Sequence, residues 1–120
     1  MHEGVIVKSL FEIAAKSREE SGLNEVQTVK VIVGKFHQIV REVMDMYFEL
    51  MKKDYAGFSN ALLVIEEREL KIRCKSCNAV ILLKEANFSC SECGSIKTEV
   101  VEGNELYIES LIGVDKDKNC

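Results

Sequence analysis

Apolar residues recur along this chain with two different periods. In residues 4–21, Ile6, Leu10, Ile13, Ala14 and Ser17 fall at i, i+4, i+7, i+8 and i+11, one face of a helix. Glu12, Arg18, Glu19 and Glu20 lie off that face, and Gly22 is the expected stop. Residues 26–33 switch to a strand pattern, with Val29, Val31 and Val33 on one side and Gly34 at the end. A second helix is predicted over residues 38–52, with Val40, Val43, Met44, Tyr47, Leu50 and Met51 as its apolar stripe. Residues 57–60 form a turn. Residues 61–73 read as one long strand, apolar on both faces at first and then alternating, which delivers the chain to Cys74. A last strand is expected over residues 105–112, after a turn at Gly103 and Asn104, and residues 115–120 are expected to fray.

This order predicts an α+β fold: a small mixed sheet of about three strands with two helices, plus an inserted four-cysteine zinc-ribbon-like module. The expected division is an α/β domain over residues 1–72 and 103–113, a zinc-binding insertion over 73–102, and a flexible tail over 114–120. With 120 residues, 47% of them hydrophobic, the core is modest, and a metal staple is a common supplement at this size.

The net charge of -4 and the lack of any run of five like charges disfavour nucleic acid. The start carries Glu3 and no basic segment, so it is not a secretory signal, and no apolar run is long enough to span a bilayer. Paired C-x2-C spacing without a secretion signal reads as metal-binding in a reducing cytoplasm rather than as a disulfide framework.

Four of those thiols form two C-x2-C pairs, Cys74 with Cys77 and Cys90 with Cys93, and twelve residues separate the pairs. Each pair supplies one edge of a tetrahedron, and thiolates suit zinc. A hairpin through residues 80–83 brings the second pair back. Asn78 and Gly94 follow the two pairs, and both residue types tolerate the left-handed backbone of a tight turn. A closed four-thiolate shell leaves no room for water, so such a zinc is structural. A thioredoxin-like role fits poorly, because it needs one pair opening a helix. Cys120 has no partner by spacing and is expected to be free.

The second metal signal is the start, Met1-His2-Glu3. Methionine is retained before a large residue. The α-amine of Met1, the amide nitrogen of His2 and its imidazole can then form fused chelate rings. The amide nitrogen or carboxylate of Glu3 completes a square plane, which suits Ni(II) or Cu(II) rather than zinc. A terminal histidine is more often merely solvated, so this motif alone is weak. His37 reads as a solvated or capping residue, and Met44 and Met51 as core packing. No phosphate-binding glycine loop and no nucleophile–base arrangement is legible.

Taken together, Met1-His2-Glu3, the helix directly after it, the strand ending at Gly34, the two thiol pairs and the Gly103-Asn104-Glu105-Leu106 turn resemble the HypA/HybF family of hydrogenase nickel-insertion proteins. The resemblance spans residues 1 to about 113. It implies a nickel metallochaperone that binds Ni(II) through the Met1 amine, His2 and Glu3, and holds structural Zn(II) with Cys74, Cys77, Cys90 and Cys93. It also implies a HypB-type GTPase partner and delivery to the large subunit of [NiFe]-hydrogenase, with urease and its accessory proteins served by some relatives. Two positions depart from the family pattern: Lys35 stands where an acidic residue is common, and Ser91 where proline is common.

The expected function is therefore a non-enzymatic cytoplasmic metal carrier, monomer or weak homodimer, that binds neither membrane nor nucleic acid. One rival is a zinc-ribbon module for protein or nucleic acid. Five basic and four acidic residues over 71–103, with few aromatics, disfavour it. Another rival is an enzyme with catalytic metal at His2, for which two histidines are too few.

Overall fold

The computed structural model describes residues 2–83 and 88–115. Its elements are α1 (Glu3–Ser21), β1 (Leu23–Gly34), α2 (Arg41–Met51), β2 (Leu62–Arg68), β3 (Leu70–Cys74), β4 (Val80–Leu83), β5 (Thr98–Glu102) and β6 (Leu106–Asp115). Short 3₁₀ turns, Lys35–His37 and Lys52–Asp54, flank α2. The strands make two three-stranded sheets, ordered β2-β1-β6 and β4-β3-β5. The chain divides into two compact units. One comprises the described parts of Met1–Val31, Ile39–Glu66 and Tyr107–Cys120; the other comprises those of Ile32–Gln38 and Glu67–Leu106.

In the first unit, α1 ends where the sequence predicts, with Gly22 in the left-handed region at φ 71° donating its N–H to the Glu19 carbonyl. The buried face shares Leu10 and Ala14 with the expected one and is otherwise rotated from it. It consists of Val7, Leu10, Phe11 and Ala14, and Ile13 is exposed. Phe11 sets the rotation. Its ring stacks on Phe48 at 4.8 Å and on Tyr55 at 4.6 Å, and meets Phe58 edge-on at 5.6 Å. A helix turns its largest ring inward, and a stripe drawn through Ile13 leaves that ring out. The same correction holds for α2. Met44 and Phe48 are buried, whereas Val40 and Leu50 are exposed. The helix begins at Arg41 rather than residue 38, because Gln38 adopts a positive φ of 51° that ends the preceding turn.

β1 is central in its sheet, and Val26, Val29, Val31, Ile32 and Val33 are all buried. The crossover from β1 through α2 to β2 is the connection that parallel neighbours require. β6 runs the other way: Gly34 of β1 donates to Glu105, while Gly113 of β6 lies against Glu25. Lys30 reaches an acid on each neighbour, Glu66 at 3.5 Å and Glu109 at 3.1 Å.

The predicted strand over residues 61–73 is two strands in different sheets, broken at Glu69. Close backbone approach explains the break. Gly103 has φ 105°, and a β-carbon there would lie 2.5 Å from the Leu70 Cα. After Glu69 the chain pairs with new partners, antiparallel on both sides, with Ile72 opposite Ile81 of β4 and Val100 of β5. Leu70, Ile72 and Leu83 form the small core of this second unit, with Ile81, Phe88 and Val100 packed against it. Its other face carries cross-strand ion pairs, Lys71 with Glu102 at 3.2 Å and Arg73 with Glu99. β5 has no counterpart among the predicted strands. β6 extends through Val114 and Asp115, beyond the predicted end at residue 112; residues 116–120 lie outside the described residues.

Candidate metal centre

β3 alternates buried Leu70, Ile72 and Cys74, so the inward face that builds the ribbon core also aims the first thiol inward. The two C-x2-C turns are built alike. In the first, Cys74 donates its N–H to the Ala79 carbonyl at 2.9 Å and accepts from Asn78 at 2.8 Å. In the second, Cys90 donates to Ser95 at 2.8 Å and accepts from Gly94 at 2.8 Å. Asn78 at φ 64° and Gly94 at φ 77° take the left-handed conformation expected of them. The knuckles are joined by the Ser76 and Ser95 hydroxyls, 3.0 Å apart, and by the Lys75 N–H donated to Lys97 at 2.8 Å.

These turns converge the four sulfurs. Cys74 and Cys93 lie 3.6 Å apart, Cys77 and Cys90 lie 3.7 Å apart, and all four are within 4.8 Å of one another. A regular zinc–thiolate tetrahedron has sulfur–sulfur edges of about 3.8 Å, from bonds of about 2.3 Å. The donor set and its spacing fit that ion. Backbone N–H groups also point at the sulfurs, Ser76 at Cys74 (3.3 Å) and both Glu92 and Cys93 at Cys90 (3.4 Å each). Among the described residues this is the one cluster of three or more histidine, cysteine or acidic side chains able to hold a metal.

The metal-free cluster cannot carry four charges. The Cys77 backbone N–H, with that of Ser76, lowers the Cys74 thiol to about 6. Cys93 is favoured as thiolate by the Ser95 N–H, yet Cys74, burial and the other thiols push it up to about 12. Cys77 is likewise raised: burial and its neighbours Cys90 and Cys74 outweigh the Ala79 N–H.

At the other candidate centre, Met1 lies outside the described residues. His2 is exposed at the N-cap of α1, where its carbonyl accepts from Ile6 at 3.0 Å and its imidazole makes no capping bond. Glu3 is buried. It is 7% exposed, and its Oε2 accepts the Val40 N–H at 2.9 Å. That bond, and one from its own N–H, hold the carboxyl below the usual carboxylate range. No spacing signal in the sequence links Glu3 to Val40.

His37 Nε2 is 2.9 Å from the Asn104 carbonyl, and its ring meets Phe36 edge-on at 5.7 Å. Lys35 pairs with Glu69 at 2.8 Å. Met44 is core, as expected. Cys120 lies outside the described residues. The void lined by Val7, Leu10, Phe11, Ala14, Val29, Phe48 and Leu63 is only about 10 Å³, too small for a ligand.

The family model described as HypA, hydrogenase/urease nickel incorporation, metallochaperone, matches residues 1–112. The chain belongs to the HypA family. It is similar to the hydrogenase maturation factor HypA of Moorella thermoacetica, 29% identical over 113 residues, covering 94% of this chain and 99% of that protein. It is 33% identical over 112 residues to the same-named factor of Wolinella succinogenes, covering 92% and 93%. The fold is similar to the solution structure of the Ni metallochaperone HypA from Helicobacter pylori, with a TM-score of 0.72 at 22% identity, covering 97% of this chain and all of that one.

Proposed function

We propose that this HypA-family chain is a nickel metallochaperone for hydrogenase maturation, with Ni(II) as cargo at the amino terminus and Zn(II) as a resident structural ion. The match to the nickel-incorporation family over residues 1–112 carries the reading. The Met1 amine, the His2 amide and imidazole, and the Glu3 amide nitrogen form the nickel plane. Helix geometry favours this choice, since the first N–H groups of a helix have no intrahelical acceptor. Those of His2 and Glu3 can therefore lose protons to a metal without breaking α1. A planar ion at an exposed terminus keeps both axial faces open, so an acceptor's ligand can attack before the carrier's ligands leave.

Cys74, Cys77, Cys90 and Cys93 hold zinc, which supplies a cross-link between two knuckles that otherwise rest on a small core. The ribbon is thereby a folded platform rather than a reaction centre. The acceptors are the [NiFe]-hydrogenase large subunit and, by family resemblance, urease; a HypB-type GTPase is the partner in transfer. The setting is the cytoplasm.

The test is nickel titration of the untagged protein by calorimetry, with His2→Ala beside it. Wild type should bind one nickel per chain with a diamagnetic, square-planar spectrum. His2→Ala should lose that binding and keep its zinc and circular dichroism. Unaltered nickel affinity in the variant would move suspicion to His37.

A further inference from the structure

α2 begins without a cap of its own. Its N-cap is Val40, whose side chain has no oxygen, and α2 has no side-chain capping bond. In a capping box, the N-cap N–H is taken by a glutamate or glutamine three residues into the same helix. Here that position is Val43, which cannot serve. The Val40 carbonyl starts the helix by accepting from Val43 and Met44, both at 3.1 Å. The Val40 N–H is left over, and the Glu3 Oε2 accepts it at 2.9 Å from across the unit. A carboxylate is also the favoured charge at a helix N-terminus.

The next residue tightens the same joint. A β-carbon on Gly4 would lie 3.2 Å from the Tyr47 ring, so the first turn of α1 rests against α2 through bare backbone. Glu3 and Gly4 thus fasten the first turn of α1 at two adjacent points, one of them the residue whose backbone nitrogen is a proposed nickel ligand.

We infer that Glu3 is a positioning residue: its carboxylate caps α2 and pins the start of α1, and it is not a side-chain ligand of nickel. This inference rests on the amino-terminal nickel site proposed above for its second half only. The capping half is a property of the metal-free chain. The division of labour is that Glu3 gives nickel its backbone nitrogen, while its side chain holds that nitrogen at a fixed place on α2.

Hydrogen exchange on metal-free protein tests the cap. Glu3→Ala should speed exchange of the Val40 to Met44 amides about fivefold, the size of a lost helix cap. Glu3→Gln keeps an acceptor oxygen and should stay near wild type. Nickel titration tests the rest. At saturation Glu3→Ala should give the wild-type square-planar spectrum, with half-saturation moved to higher nickel by a few-fold, and Glu3→Gln should recover most of that loss. Unchanged α2 exchange in Glu3→Ala would overturn the cap. A changed spectrum at saturation, or equal loss in both variants, would make the carboxylate a ligand and overturn the positioning role. If His2→Ala leaves nickel binding intact, the terminal site itself is rejected, and the exchange result still decides the cap.

Discussion

The sulfurs of Cys74 and Cys93 lie 3.6 Å apart across 19 residues of chain. They belong to different knuckles, so this contact ties one knuckle to the other. Losing one thiol therefore removes a tie between two segments. Cys74→Ser or Cys93→Ala should abolish zinc binding and unfold residues 72–102 at least. The local core of Leu70, Ile72 and Leu83 is too small to replace a site whose binding free energy is about 10–16 kcal/mol in zinc-finger peptides. Elemental analysis should give one zinc per wild-type chain. Full zinc retention with normal exchange protection in either variant would reject the assignment.

The thiol pKa values fix the pH dependence of zinc affinity. Above about 6, Cys74 is already ionised, whereas Cys77 is raised and Cys93 lies near about 12, so both are protonated at neutral pH. Binding must release at least those two protons. Affinity should therefore rise with pH by at least about two decades per unit near neutrality, and more steeply below the Cys74 value. Competition titrations against a chelator between pH 6.5 and 8 would measure the slope. A slope clearly below two would show that Cys77 or Cys93 is already deprotonated before metal arrives.

Extending the chain by Gly-Ser before Met1 keeps every side chain and moves the α-amine out of the chelate. The extended protein should keep its fold and zinc but lose tight nickel binding and hydrogenase maturation. Acetylating the amine should do the same. Unchanged affinity and spectrum would mean that side chains alone make the site.

Phe11 is the centre of the aromatic cluster with Phe48, Tyr55 and Phe58. Phe11→Ala should destabilise the protein by about 3–5 kcal/mol, the usual cost of removing a buried phenylalanine. Ile13→Ala, at an exposed position on the same helix, should cost little. Urea unfolding of the two variants would compare them. Equal losses would restore the helix face drawn from spacing alone.

The legible parts of this molecule were the local ones. Gly22 stops α1, and Asn78 and Gly94 turn the two knuckles, because conformational preference acts on single residues. The four thiols were legible because their spacing is itself the geometry of the site. What escaped depends on residues distant in sequence. The face of α1 is decided by rings at Phe48, Tyr55 and Phe58, and the break at Glu69 by the approach of Gly103. Lys35 finds Glu69, and Glu3 finds Val40, across 34 and 37 residues. Periodicity carries no information about such pairs.

The strand order β2-β1-β6 has a consequence for biosynthesis. During translation α1, β1, α2 and β2 emerge first, and all four cysteines follow before any residue of β6. The first sheet then waits with one side of its central strand unpaired until the ribbon has been made. Metal supply at that moment decides whether β6 is drawn out behind a folded knuckle pair or behind a loose stretch, where closure costs more chain entropy. A shortage of the metal proposed for the four thiols would thus be felt first in newly made chains, at a strand that contributes no ligand.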